Sequence, residues 1–316
     1  MKVGGIHHVT AISAAIAQNL EFYTGVLGLR LVKKSVNQDD IKAYHLFYAD
    51  TVGSPGTDLT FFDWPEVPAN QPGAGNVALT SFKVESEDSL GFWRERLTEA
   101  GHVAQDAEDP QGRLSIQFAD PEGQALELVA APDLRLASVP WDKSIPAEHA
   151  LRGLLSVEIP SARPDSTRKV LRMLGFETVL EEDVEVLQVN GDAASSQVRL
   201  RTAHDRRFGR PGAGGIHHVA FRVRDDDELR RFQQELESAG LNTSGYVDRF
   251  WFHSLYFREP GGVLFELATE GPGMGSDEDM AHLGEHTVLP PFLEPRREAI
   301  LAGLKPLPEP AYLQNR

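Results

Sequence analysis

A chain of 316 residues is long enough for two ordinary domains, and 41% hydrophobic residues suffice for a sizeable packed core. Lys and Arg number 31 against 47 Asp and Glu, a net charge of −16, which disfavours nucleic acid and anionic membrane surfaces as partners. With no cysteine in the chain, disulfides, thiolate metal sites, iron–sulfur clusters and cysteine nucleophiles are all excluded. Met1-Lys2-Val3-Gly4-Gly5 leads straight into a patterned stretch with no room for a secretory hydrophobic region. No apolar run approaches membrane-spanning length, so a cytoplasmic setting is the default expectation.

In chain order, Gly5-Ile6-His7-His8-Val9-Thr10 predicts a short opening strand. A helix follows, with Leu20, Tyr23 and Leu27 on one stripe and Gly28 closing it. Strands are expected at Leu29–Val36, at Tyr44–Tyr48 and in the segment that ends at Phe61. A Pro/Gly-rich joint, Trp64–Gly75, leads to a second unit with Leu79, a helix stripe of Leu90, Trp93 and Leu97, and a closing Leu126-Glu127-Leu128. After a second joint, Pro132–Pro146, Gly153-Leu154-Leu155-Ser156-Val157 opens a third unit, whose helix carries Val170 and Leu174. Past Phe208–Gly215, Ile216-His217-His218-Val219 opens a fourth, with Leu229, Phe232 and Leu236 on its helix and Leu264-Phe265-Glu266-Leu267 at its close.

The second and fourth units match at a constant offset of 139 residues, as in Gly73 to Gly212, Trp93 to Phe232 and Glu127 to Glu266. Four modules therefore lie near residues 4–64, 73–131, 151–202 and 212–270, each a strand, a helix and about three further strands. In chain order they group as an N-terminal pair over 4–131 and a C-terminal pair over 151–270. The tail over 271–316 breaks the pattern, with Asp277-Glu278-Asp279, Pro290-Pro291 and a short helix begun by Pro295.

Each copy serves as a control for the others. The opening strands carry His8, Leu79, Ser156 and His218 at one position; the closing strands carry Phe61, Glu127, no alignable acid, and Glu266. Two neutral imidazoles and one carboxylate suit a borderline divalent ion such as Fe(II), Mn(II) or Zn(II), and three ligands leave positions open for substrate. The alternative, two buried core histidines, is weakened by their equivalent repeat positions. One metal site drawing on modules one and four requires those two modules to face each other, leaving modules two and three as a metal-free unit with Glu127 as a structural or surface carboxylate.

The strings Gly5-Ile6-His7-His8-Val9-Thr10, Gly215-Ile216-His217-His218-Val219 and Asp248-Arg249 through Tyr256 to Glu266 resemble the vicinal oxygen chelate superfamily, which includes glyoxalase I and the extradiol dioxygenases. Within it the chain is most similar to the hydroquinone ring-cleaving dioxygenases, over roughly its whole length. The resemblance implies an α+β fold in which four βαβββ modules form two paired half-barrel units. It implies a metal held by His8, His218 and Glu266, with polar groups near the substrate at His7, Thr10, His217, Arg249 and Tyr256. Fe(II) is the implied cofactor, with Mn(II) or Zn(II) compatible. The partners are a small aromatic diol and O2, with a homo-oligomer allowed. His253 departs from the pattern of the chlorohydroquinone enzymes, and His45, His282 and His286 read as structural or solvent-facing. The implied activity is oxidative ring cleavage of a hydroquinone or catechol. Two rivals share the scaffold: a glyoxalase-type isomerase or lyase, disfavoured by Phe61 where a second metal-site glutamate is expected, and a non-enzymatic resistance protein that binds small molecules, disfavoured by the retained triad.

Overall fold

The computed structural model describes residues 1–132, 141–142, 144–190, 195–205 and 207–314. Most of the joint expected over Pro132–Pro146, and the last two residues of the tail, lie outside the described residues. The strand, helix, three-strand pattern occurs four times. The first module is β1 (Ile6–Ser13), α1 (Ile16–Glu21), β2 (Arg30–Val36), β3 (Tyr44–Ala49) and β4 (Asp58–Asp63). The second is β5 (Leu79–Val84), α2 (Glu87–Glu99), β6 (Gln105–Glu108), β7 (Leu114–Ala119) and β8 (Ala125–Ala130). The third is β9 (Leu154–Ser161), α3 (Pro164–Met173), β10 (Glu177–Leu180), β11 (Val184–Asn190) and β12 (Ser195–Thr202). The fourth is β13 (Gly215–Val223), α4 (Asp226–Ser238), β14 (Thr243–Asp248), β15 (Phe252–Arg258) and β16 (Leu264–Pro272).

Local chemistry accounts for the helices. Ser86 and Asp225 cap α2 and α4 by accepting from Ser89 N and Glu228 N, with acidic residues in each first turn to complement the exposed amides. Both helices end the same way, at Gly101 and Gly240 with φ of 82° and 85°. There His102 N bonds back to Leu97 O and Leu241 N to Leu236 O, a stop that needs a left-handed residue. The stripes Leu90, Trp93, Leu97 and Leu229, Phe232, Leu236 are buried. The first helix differs from the regular one expected. It passes at Phe22–Val26 into a π-helical turn, with Leu27 N bonded to Phe22 O and the Thr24 hydroxyl donating to Leu20 O.

The sheets do not follow the chain-order division at 131/151. One eight-stranded sheet runs β14-β15-β16-β13-β1-β4-β3-β2 and joins modules one and four; the other runs β10-β11-β12-β9-β5-β8-β7-β6 and joins modules two and three. In the first, β1 and β13 meet antiparallel at the centre, His8 opposite Ala220 and Thr10 opposite His218. Strand β16 runs parallel to β13 with Glu266 beside Ala220. Alternation then sorts the faces. Val9, Ala11, Val219 and Phe221 enter the large core cluster shared by all four modules, while His8, Thr10, His218 and Ala220 turn to the opposite face. The tail returns along this sheet. Val288 N bonds Lys34 O, and buried Lys33 binds Met274 O, Asp277 and Glu278. Among the described residues no helix is long and apolar enough to cross a membrane.

Candidate metal centre

Three neighbouring strands bring together residues from the first and fourth modules. His8 on β1, His218 on β13 and Glu266 on β16 are 2%, 4% and 0% exposed. Glu266 Oε2 lies 3.2 Å from His8 Nε2 and 2.9 Å from His218 Nε2, and the two Nε2 atoms are 3.3 Å apart.

The flanking histidines decide which atoms carry hydrogen. His7 Nε2 lies 3.2 Å from the carbonyl oxygen of Thr269, which can only accept, so that nitrogen is protonated. Burial, reinforced by the neighbouring His8, lowers the His7 pKa to about 3, so the ring is neutral and its Nδ1 is a lone pair. His8 Nδ1, 2.9 Å away, must then donate to it, which leaves His8 Nε2 unprotonated and aimed at Glu266. His217 and His218 repeat the contact, Nδ1 to Nδ1 at 2.8 Å. Burial likewise holds His217 down to about 3 and lowers the pKa of His218.

Glu266 is buried, which by itself raises a carboxyl pKa, but the pull of His8 and His218 outweighs burial and holds it well below the usual range. Its Oε1 accepts from the Ser254 hydroxyl at 2.5 Å. Its Oε2 is buried without a hydrogen-bond partner, between the two histidine nitrogens. Three buried ligand atoms thus converge on one point, and a divalent cation there would satisfy all three. Among the described residues this is the one cluster of at least three His, Asp or Glu ligand atoms within 4.8 Å of each other. The donor set fits a divalent metal.

Above the triad opens a cavity of about 380 Å³. Phe47, Phe62, Trp251 and Phe252 supply its aromatic lining. Beside the two histidine ligands its polar lining includes Asn37, Gln38, Asp39, His45, Arg249 and Tyr256. Tyr256, beside Glu266 in the sheet, packs edge-on against His218 with ring centroids 5.8 Å apart. Burial, and then the nearby Glu266, raises its pKa, so the phenol keeps its proton. Arg249 donates from Nε to Tyr256 Oη at 3.2 Å and pairs with Asp39 at 2.8 Å. Burial opposes its charge, but the Tyr256 and Asp39 oxygens outweigh it and raise the pKa.

The remaining residues singled out in the sequence fall elsewhere. His7 and His217 stand behind the triad rather than in the cavity, and Thr10 is buried beside it, 2.8 Å from Thr60 Oγ1. His45 was expected to be structural or solvent-facing, yet it lines the cavity, with burial holding its pKa well below normal. The repeat did not mark it: the corresponding strand of module four carries a histidine at His253, but register makes Ser254, not His253, the counterpart of His45. His253 pairs with Asp226 at 2.6 Å outside the cavity, and His282 and His286 are exposed. Register also corrects one alignment. Strand β4 places Thr60, not Phe61, beside Thr10, so Thr60 is the counterpart of Glu266.

The second sheet shows what replaces a metal. Glu127, the counterpart of Glu266, is buried and not at the surface. It accepts from Ser81 at 2.6 Å, Ser115 at 3.0 Å and the Arg199 guanidinium at 2.5 Å. Arg199 stands beside Glu158 as Thr60 stands beside Thr10. A fixed side-chain cation thus neutralises the carboxylate in the half-barrel that lacks histidines.

The sequence matches the glyoxalase/bleomycin resistance protein/dioxygenase superfamily over residues 5–128 and 154–267. The chain belongs to this superfamily. It is 42% identical over 315 residues to MhqA of Bacillus subtilis (strain 168), provisionally named a ring-cleaving dioxygenase, with 97% of this chain and 100% of MhqA covered. It is 29% identical to the chlorohydroquinone/hydroquinone 1,2-dioxygenase of Sphingobium indicum, with 95% of each chain covered. A crystal structure of a provisionally named dioxygenase from Bacillus subtilis superposes with a TM-score of 0.91 at 36% identity, covering 97% of this chain and 98% of that one. Glyoxalase I from Zea mays shares the fold, with a TM-score of 0.63 at 13% identity, covering 84% of this chain and 92% of that one.

Proposed function

We propose that the protein is a ring-cleaving dioxygenase that opens an aromatic diol with O2 at a single Fe(II) held by His8, His218 and Glu266. The observation that carries this reading is the triad itself. Three buried ligand atoms, one of them an orphaned carboxylate oxygen, converge at the floor of an aromatic-walled cavity. Resemblance to ring-cleaving relatives over nearly the full chain supports the substrate class. Mn(II) or Zn(II) would fit the same donors, but Fe(II) would supply both the Lewis acidity and the redox chemistry that ring opening with O2 requires.

The chain's own residues prepare the reaction. The walls Phe47, Phe62, Trp251 and Phe252 pack the faces of a flat ring and exclude water. Arg249 stays charged and so favours a substrate that has lost a hydroxyl proton. Tyr256 keeps its proton and can donate to a developing oxyanion. His7 and His217 fix the rings of His8 and His218 through their Nδ1 contacts, and Thr10 supports the neighbouring strand through Thr60. A glyoxalase-type reaction that used a second metal-site carboxylate would find the hydroxyl of Thr60 in its place.

The test is metal analysis of protein purified without oxygen and reconstituted with Fe(II), followed by an oxygen-electrode screen of hydroquinones and catechols. The expected result is about one iron per chain and oxygen uptake with at least one diol, yielding a ring-opened acid. No bound metal after reconstitution, or no uptake with any diol, contradicts the proposal.

A further inference from the structure

Arg249 lies between β14 and β15 of module four, and the turn between β2 and β3 of module one reaches it with two consecutive residues. Gln38 Nε2 donates to Arg249 O at 2.9 Å, and Arg249 Nη2 donates to Asp39 Oδ2 at 2.8 Å. The turn is itself fixed. Asn37 Oδ1 accepts from Asp39 N at 2.9 Å and from Asp40 N at 3.3 Å, and Trp64 Nε1 donates to Asp40 at 3.2 Å. The backbone of Arg249 is held as well. Its N–H donates to Phe252 O at 3.0 Å, and its carbonyl accepts from Trp251 N at 2.9 Å. Phe250, the residue between, has φ of 73° and is the one left-handed residue other than glycine among the described residues. A backbone that costly persists where its surroundings over-determine it, and such residues cluster at ligand-binding loops.

The Asp39 contact does little for the fold. Its side chain is 74% exposed, and an ion pair that open adds little to stability. What it fixes is the guanidinium. An arginine side chain on its own samples many rotamers, but this planar group is held at two points, Nε on Tyr256 Oη at 3.2 Å and Nη2 on Asp39. Asp39, Arg249 and Tyr256 all line the cavity above the triad. Among the described residues Asp39 is the one carboxylate within ion-pair distance of Arg249. A phenol oxygen that accepts from Arg249 still has its own hydrogen to donate. Resting on the ring-cleavage reading of the site, we propose that Asp39 is a positioning residue: it holds the Arg249 guanidinium on Tyr256, so that this pair meets the oxygen of a bound diol in one fixed arrangement. Without Asp39 the guanidinium can swing off Tyr256, and each diol that binds must then pay the entropy of ordering it again.

The experiment reads the guanidinium first and then its consequence. In the isotope-labelled full chain the Arg249 Nε–H resonance is identified by its loss in Arg249→Ala. Its exchange with water is then measured in the wild type, Asp39→Asn and Asp39→Glu. Exchange is expected to be about tenfold faster in Asp39→Asn, the equivalent of one lost hydrogen bond. Asp39→Glu should recover part of the protection, and all three proteins should melt at similar temperatures. The same proteins, loaded with Zn(II), which has no redox chemistry, are titrated with hydroquinone by calorimetry. Asp39→Asn is expected to weaken binding about tenfold in the wild-type background and to change nothing in the Arg249→Ala background. Unchanged Nε–H exchange in Asp39→Asn overturns the proposal. An equal loss of affinity in both backgrounds, as a residue acting independently of Arg249 would give, overturns it too, as does no loss in either. The ring-cleavage reading is judged apart. If the wild type binds no hydroquinone, or binds it and takes up no oxygen in the Fe(II) form, that reading fails, and the exchange measurement still decides whether Asp39 holds Arg249.

Discussion

At the residue scale, the paired histidines show how a fold spends four imidazoles on two ligands. His8 and His218 face Glu266 through Nε2, and their neighbours in sequence, set at irregularities in the β1–β13 register, meet the opposite nitrogen. This arrangement has a pH signature. In the unfolded chain His217 takes up a proton near its ordinary pKa of 6.5, whereas in the fold burial delays uptake to about 3. Between those values the unfolded chain binds more protons, so stability falls as the pH drops through that window. The metal-free protein is therefore expected to lose thermal stability between pH 7 and pH 4. His217→Asn removes one of the responsible groups, and melting curves across that range should be flatter for the variant. An equal slope in both proteins would mean that His217 does not resist protonation in the fold.

At the scale of strands and helices, the two sheets differ in how they neutralise one buried carboxylate. In the first, Glu266 faces two imidazoles; in the second, Glu127 faces the Arg199 guanidinium. Replacing Glu127 with Gln leaves Arg199 with only Asp109, at 3.3 Å, as its charged partner. Breaking such a buried pair is expected to cost about 3 kcal/mol in denaturant unfolding. Metal content should not change, since no atom of the triad lies in that sheet. Loss of metal from a folded Glu127→Gln protein would place the metal in the other half-barrel. Sequence pattern captured the modules because Leu90, Trp93, Leu97 and their counterparts at Leu229, Phe232 and Leu236 repeat a stripe that packing requires. It missed the π-helical turn at Phe22–Val26, whose extra residue leaves the apolar stripe intact. It also placed the counterpart of Glu266 at Phe61 instead of Thr60, because a slip of one residue is invisible until strands pair.

For the molecule as a whole, duplication explains both what was legible and what was not. His8, His218 and Glu266 stood out because the repeat offered Leu79 and Ser156 for comparison, and their convergence follows from β1, β13 and β16 lying side by side. The register counterpart of His45 is Ser254, and Asp39 and Trp251 lie outside the strands of the repeat, so no internal comparison marked them as cavity residues. The tail is another single-copy feature. Lys33 binds Asp277, and Asp277 in turn accepts from Trp251 Nε1 at 3.0 Å, so a segment with no module of its own braces one wall of the cavity. All of this converges on one claim, that Glu266 is a metal ligand and not a buried carboxylate paired to two histidines. Glu266→Gln is nearly isosteric, and its amide can still meet Ser254. The decisive measurement is iron content beside oxygen uptake with hydroquinone for this variant and the wild type. Loss of the one anionic ligand predicts a folded protein that has lost most of its iron and at least about tenfold of its uptake. A folded Glu266→Gln protein with wild-type iron and wild-type uptake would contradict the account.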